Sequence, residues 1–507
     1  MKIERTKNAV RIITFSGLYQ VMNNFVPFIM RTIILHFLGV EYLGLNGLFR
    51  SIFSILNLAE LGVGSAMVFS MYKPIAEDDS DTICSLMKLY RTLYRIIGLV
   101  ILAVGLALTP FLPSLIEGEL TADVNLYVLY FMSLGSTVLS YWLFAYKNAL
   151  FTAHQRSDIN SKVALAVHMI EYSLKILVLI VFRNYYMFLV LQIISQAAIN
   201  IFTAIKAKQF YPLYSPAGNL SSEKKKSIAM RVRDLFTSNF ANVVSDSADT
   251  IVVSSFLGLE ILAIYQNYFF IVSSLKAMIG VVLGACLAGV GNSLITESAE
   301  KNYQDLRKIT VLFGWLMSIF TAMLLCMYQP FMLIWMGEDF LLSLPYVICF
   351  VIYFHSIGMN RLINMYKDAA GIWKVDKWRP LAATIVNLVL NLATVKWLGL
   401  YGVLLSTVIS IILVQIPWLF RNLFKYVFPK KHLWQYVRLY ISFTALSLLA
   451  CAISQYLCSL HKLDTWPSLF VNAAISFIVP NILFLLIYGR SKLFKAGIAQ
   501  LRKTIKR

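Results

Sequence analysis

Apolar runs of about 20 residues follow one another from near residue 12 to near residue 490, parted by short polar or basic stretches. An α-helix rises 1.5 Å per residue, so each run matches the roughly 30 Å hydrocarbon layer of a bilayer. The pattern predicts fourteen such runs, centred near residues 25, 59, 102, 137, 171, 195, 246, 276, 319, 356, 388, 411, 447 and 477. The expected fold class is an all-α polytopic membrane protein of about 14 transmembrane helices. Composition agrees: 59% of the 507 residues are hydrophobic and 14% are charged, against roughly 25% charged in soluble domains. A chain of several soluble domains is excluded.

The net charge of +20 would point to nucleic acid in a soluble protein. Here the basic residues sit in short loops, so nucleic acid is not an expected partner and topology is the first thing to explain. With the N-terminus inside, 38 of the 45 Lys and Arg fall in cytoplasmic segments and three (Arg183, Lys396, Lys462) in outside loops. This positive-inside bias predicts that both termini are cytoplasmic. The first span lacks a small-residue cleavage site and is expected to be retained. The tail from Ser491 to Arg507 mixes apolar and basic residues, which suits an interfacial helix on anionic lipid or a solvated basic tail. The six cysteines form no CxxC pair, and no disulfide framework is expected.

An internal repeat divides the chain. Phe37-Leu-Gly-Val-Glu-Tyr-Leu-Gly-Leu45 follows the first span and Phe256-Leu-Gly-Leu-Glu-Ile-Leu-Ala-Ile264 follows the seventh, 219 residues later. Six spans separate the copies, and an even number restores orientation, as in transporters with parallel repeats. Chance similarity of two short apolar loops is the alternative. The expected organisation is an N-terminal lobe at 1–219 (spans 1–6), a C-terminal lobe at 220–430 (spans 7–12), and two further spans with the basic tail at 431–507.

Candidate chemistry lies in polar residues at mid-membrane depth, where each charge needs a partner, a wet cavity or a path to the interface. Steps of three and four place Gln20, Asn24 and Arg31 on one face of span one, and Arg50, Ser54, Asn57 and Glu60 on one face of span two. Glu171 and Lys175 lie in span five beside His168, and Lys276 lies in mid span eight. Asp246 and Asp249 of span seven, with Asn387, Asn391 and Thr394 of span eleven, form an oxygen-rich set suited to a coupling cation. The expected destination of these faces is a water-filled cavity between two lobes. Plainer readings stand beside this one. Arg31 and Arg50 suit snorkelling, Glu171 and Lys175 suit an internal ion pair, and the amides suit interhelical hydrogen bonding. His168 alone suits a packed histidine. Lys276 and Asp246 lie too deep to snorkel, which favours pairing or transport.

Several chemistries lack their motifs. There is no G-x-x-x-x-G-K-[ST] phosphate loop, no HExxH, no Cys/His cluster with zinc spacing and no long outer loop. The chain is therefore not expected to be an enzyme, and no cofactor or assured metal site is expected beyond a coupling Na+ or H+.

Several blocks resemble bacterial polysaccharide-export flippases. They are Arg31 with Leu38-Gly-Val-Glu-Tyr-Leu-Gly-Leu45, Leu58-Ala-Glu-Leu-Gly-Val-Gly-Ser-Ala66, Tyr72-Lys-Pro74, Tyr265-Gln-Asn-Tyr268 and Met365-Tyr-Lys-Asp-Ala-Ala-Gly-Ile-Trp-Lys-Val-Asp-Lys377. The resemblance, carried by order and spacing over nearly the whole chain, extends to lipid II flippases and multidrug and toxin extruders of the same superfamily. It implies two six-helix lobes with alternating access in the bacterial cytoplasmic membrane. The implied substrate is an undecaprenyl-diphosphate-linked oligosaccharide for capsule or a similar envelope polysaccharide. It also implies a lateral groove formed with the last two helices for the polyprenyl tail, and basic cavity residues on helices one, two and eight, where Arg31, Arg50 and Lys276 lie. Membrane lipids and the polymerase and glycosyltransferases of the same pathway are the implied partners. The rival functions are a cation-coupled multidrug exporter of the same fold, a membrane polysaccharide polymerase or ligase, and a non-transporting scaffold.

Overall fold

A computed structural model describes residues 5–118, 124–461 and 465–505. The described backbone is helical and contains no strand. It divides into two compact units, Met1–Ala263 and Ile264–Arg507.

The first unit holds α1 (Arg5–Phe37), α2 (Val40–Leu56), α3 (Val63–Ala76), α4 (Ser80–Leu108), α5 (Leu126–Trp142), α6 (Asn148–Ala153), α7 (Ser157–Phe182), α8 (Tyr185–Phe210) and the first part of α9 (Ser222–Thr296). The second holds the rest of α9 with α10 (Ala299–Met336), α11 (Leu344–Ala369), α12 (Trp373–Asp376), α13 (Trp378–Leu398) and α14 (Leu400–Ile409). It continues through a π-helical turn (Ser410–Gln415) into α15 (Ile416–Tyr426), α16 (Leu433–Ser459), α17 (Thr465–Tyr488) and α18 (Lys492–Ile505).

All fourteen expected centres fall in helical backbone. By length and composition, eleven described helices suit a membrane crossing, or twelve if Leu126–Trp142 and Ala145–Ala153, bent by 46°, form one span. α1, with its polar stripe, is not among them, and expected spans seven and eight both lie within α9, one on each side of a kink at Gly258. The surface fits lipid. Ile170, Val181, Phe182, Val281, Leu413 and Leu486 are exposed on helix faces. The exposed tryptophans Trp142, Trp373, Trp378, Trp397, Trp434 and Trp466 each lie within one residue of a helix end, the interfacial position that indole rings favour.

The basic tail forms α18, and its Phe494 is buried against Val311, Phe443 and Phe484. Packing on α10, α16 and α17 therefore anchors its start within the second unit. At the other end of the chain's polar loops, Asp79 caps α4 by accepting from Thr82 N at 2.9 Å. Hydrogen bonds from Thr82 hold that carboxyl below its ordinary value.

The repeat is visible in the backbone. Gly39 starts α2 at φ 106°, ψ 174°, and Gly258, its equivalent 219 residues on, breaks α9 at φ 86°, ψ 174°. Only glycine adopts this region without strain. The two copies also touch: a Cβ on Gly44 would overlap the backbone of Leu259. Alanine at Gly39 or Gly258 is expected to destabilise the protein by about 1–3 kcal/mol. Gly17→Ala, in a helix with open space around the site, is expected to be neutral or stabilising. Thermal unfolding of the purified variants in one detergent checks the contrast.

Candidate functional site

The second span does not cross as one helix. α2 ends at Leu56, a 3-10 turn runs over Asn57–Glu60, and Gly62 at φ 88° starts α3. A side chain at Gly62 would meet both a left-handed backbone and Leu235 Cβ at 2.7 Å. Broken helices in transporters free polar backbone and side chains beside binding sites.

Asn46, Arg50 and Ser54 of α2 and Asn57 of the turn line a cavity of about 530 Å³. α5 adds Ser133, Ser136 and Thr137, and α8 adds Tyr185 and Gln192. Among the described residues, Arg50 is the one charged side chain lining it. Hydrogen bonds fix the amides: Asn46 Nδ2 donates to Tyr185 Oη at 3.0 Å, and Tyr141 Oη donates to Asn57 Oδ1 at 3.0 Å. The lining combines one cation, Arg50, with neutral hydroxyl and amide groups and with apolar side chains such as Phe49, Phe53 and Leu189.

Glu171 and Lys175 are buried behind this cavity. Lys175 Nζ lies 2.6 Å from Glu171 Oε1, and His168 Nδ1 lies 2.8 Å from Glu171 Oε2. Lys175 also donates to Gln192 Oε1 at 3.4 Å, which leaves the Gln192 NH2 as a donor for the cavity. The pair is thus committed to itself and reaches the cavity through Gln192. A buried pair of this kind is held by mutual attraction against a large desolvation penalty, so removing either partner strands the other.

Glu60 lies in an adjoining cleft of about 630 Å³ with Ser65, Phe69, Tyr72 and Thr152. Its Oε1 accepts from Tyr94 Oη at 3.1 Å and from Gly64 N at 3.3 Å. Tyr90 Oη donates in turn to Tyr94 at 2.6 Å. Gln20 and Asn24 bond each other at 3.3 Å on α1, and Arg31 is half-buried on the same helix. None of these three lines either cavity.

In the second unit, Lys276 is buried and donates to Tyr353 Oη at 2.9 Å. Its ammonium lies 5.3 Å from the ring centroids of both Phe269 and Tyr353, a cation–π setting. Arg361 Nη1 donates to the Lys276 carbonyl at 2.6 Å. Asn387 and Asn391 are buried; Asn387 Nδ2 donates to Thr407 at 3.0 Å, tying α13 to α14. Thr394 Oγ1 donates to Leu390 O at 2.7 Å. Asp249 is buried in the first unit. The side chain of Asp246 lies outside the described residues.

An apolar groove of about 460 Å³ runs between α15 and α16, lined by Ile412, Ile416, Pro417, Phe420, Leu433, Val437, Tyr440 and Ile441. Arg421 and Trp434 also line it, as do His355 and Thr444. Pro417, just after the π turn, cannot donate a backbone hydrogen bond, and such turns recur at functional sites.

Sequence reasoning passed over Asn46, Ser133, Thr137 and Gln192. Asn46 extends the Arg50, Ser54, Asn57 stripe by one turn and was within reach. Ser133 and Thr137 share a face four residues apart, but hydroxyls bonded to the preceding turn are common in spans, and both are so bonded. A lone Gln in an apolar run carries no comparable signal.

No protein-family model matches the chain, and no curated protein sequence matches it. Solved structures do. A lipid II flippase MurJ in an inward closed conformation is 14% identical with a TM-score of 0.67, covering 94% of this chain and 99% of that one. A multidrug resistance MATE family transporter of the MOP superfamily, inward-facing, is 14% identical with a TM-score of 0.55, covering 77% and 92%. A Vibrio cholerae MATE transporter variant is 15% identical with a TM-score of 0.53, covering 83% and 98%. The chain is a multi-pass, all-α membrane protein with the fold that these structures share.

Proposed function

We propose that this chain is a flippase that moves a lipid-linked oligosaccharide across the bacterial cytoplasmic membrane by alternating access, for envelope polysaccharide synthesis. The observation that carries the reading is the Arg50 cavity. An anionic, hydroxyl-rich headgroup calls for a cation and many neutral hydrogen-bonding groups, and the cavity is lined by both. Arg50 presents a planar fork suited to phosphate, while Asn46, Asn57, Ser133, Thr137 and Gln192 suit sugar hydroxyls. The apolar groove beside α16 suits a polyprenyl chain, with Arg421 and Trp434 at its wall. That a lipid II flippase shares the fold supports transport of a lipid-borne headgroup.

A cation-coupled exporter is the second reading. MATE transporters share the fold as well, and Glu60, an acid lining the adjoining cleft, is the observation in its favour. The absence of any acid among the described residues of the Arg50 cavity weighs against a cationic cargo there.

Depleting the protein in its own cells is expected to raise lipid-linked repeat units in the inner leaflet while surface glycan falls. Unchanged lipid-linked pools on depletion contradict the reading. Arg50→Gln, at normal membrane abundance, is expected to cut glycan export about 10-fold or more, the loss of one charge-assisted contact. Arg50→Lys should retain part of it, as read from surface glycan per cell.

A further inference from the structure

The 219-residue repeat sets Ser80, the first residue of α4, on Ala299, the first residue of α10. The two equivalent helices are covered differently. On α10, Thr310 shares a hydrogen bond with Tyr436 of α16 at 3.0 Å, and a Cβ on Gly314 would press on Phe443 of α16. Trp315 stacks on Phe484 of α17, and Ser318, one turn on, is 1% exposed. The matching positions on α4 are Arg91, Arg95, Ile96 and Leu99. Ile96 and Leu99 are 50% and 55% exposed, and Arg95 is exposed beside them. Among the described residues, nothing covers this face of α4 as α16 and α17 cover α10.

The inner end of the open face collects positive charge. Arg91 and Arg95 lie within electrostatic reach of the buried Tyr146 hydroxyl, and Lys147 lies within reach of Lys208 near the end of α8. The 3-10 turn that carries Tyr146 and Lys147, Ala145–Lys147, packs on both α4 and α8. Four cations from three elements therefore share one patch. Among the described residues none of the four is in an ion pair, whereas Lys73, Arg156 and Lys162 of the same unit each hold a carboxylate. Their repeat counterparts, Thr310, Gly314, Tyr366 and Val427, carry no charge, so the packing of these helices does not itself require cations here. Like charges held together repel one another, and an anion between them relieves that repulsion.

Trp142 marks the depth of the patch. Its Nε1 donates to Arg95 O at 3.2 Å, and its ring is seated on Gly98, where a Cβ would overlap it. The indole is exposed at the end of α5, the level at which tryptophan meets lipid headgroups. The positive-inside bias places this end on the cytoplasmic side, where basic pockets between spans hold anionic headgroups. We infer that the inner end of α4 is a binding site for one anionic diacyl phospholipid of the inner leaflet. Its phosphate sits among Arg91, Arg95, Lys147 and Lys208, with the arginine forks as the directional contacts. Its acyl chains run along Ile96, Leu99 and Val100. None of these residues lines the Arg50 cavity, so the site does not depend on what that cavity carries.

The test uses the full chain in detergent, with native mass spectrometry of lipid retained from phosphatidylglycerol or from phosphatidylcholine of the same acyl chains. One phosphatidylglycerol should be held about 10-fold or more tightly than phosphatidylcholine. The triple variant Arg91→Gln, Arg95→Gln, Lys147→Gln should lose that preference, a drop of about 10-fold or more. Lys224→Gln, Lys225→Gln, Lys226→Gln removes the same charge from the exposed start of α9 and should leave the preference intact. Arg91→Lys with Arg95→Lys, which keeps the charge, should retain part of it. In the wild type alone, phosphatidylglycerol with a photoreactive acyl chain should label α4 between Ile96 and Val100. Equal retention of the two lipids overturns the proposal, as does an equal loss in both triple variants, which would mean diffuse surface charge. Labelling confined to other helices also overturns it. So does displacement of phosphatidylglycerol by a polyprenyl diphosphate, which would make this a cargo site, or a wild-type dimer that the first triple variant splits, which would make the face a contact between copies of the chain.

Discussion

Lipid offers no hydrogen bonds, so every backbone group within the bilayer must be satisfied by the chain itself. Helices follow from that requirement, and so does the placing of each polar side chain. Where a charge enters a span, the structure either pairs it, as Glu171 with Lys175, or wraps it in aromatic rings, as Lys276 between Phe269 and Tyr353. Arg50 and Glu60 depart from this in the first unit, each lining a cavity or cleft.

Two of the breaks in the helices lie beside cavities, and the same constraint explains why they are tolerated there. A backbone interrupted in lipid would strand its amides and carbonyls, so interruption is tolerated where polar groups gather. The 3-10 turn at Asn57–Glu60 separates the Arg50 cavity from the Glu60 cleft. The π turn at Ser410–Gln415, followed by Pro417, borders the apolar groove. Gln415 is itself held by Asn360 Nδ2 at 2.9 Å, and the nearby Asp376–Arg379 pair is buried and closed at 2.7 Å. These polar clusters brace the ends of the interrupted helices, so the block around Asp376 that carried part of the family resemblance does structural work in the second unit.

Much of this was legible from residue order. Span length and apolar content gave the helices because those quantities are set by bilayer thickness, and the spacing of Glu171 and Lys175 gave their pairing. The glycine shared by both repeat copies marked two equivalent backbone turns. Glu60 was harder. A continuous helix would keep it on the Asn57 face, but α2 stops at Leu56 and the carboxylate lines the next cleft. Partners distant in sequence were out of reach: nothing local ties Lys276 to Tyr353 or Lys175 to Gln192. Asn387 is tied to Thr407 on the next helix, another partner that no local spacing reveals.

The central claim is that the Arg50 cavity receives an anionic, sugar-bearing headgroup. Its most direct test is equilibrium binding by the purified chain in nanodiscs, using a polyprenyl-diphosphate oligosaccharide as probe and a lipophilic cation as competitor. Saturable binding of the anionic probe that weakens about 10-fold or more in Arg50→Gln, with no displacement by the cation, is the predicted result. Binding of the cation in preference to the diphosphate, or binding of the diphosphate that is indifferent to Arg50, would contradict the account.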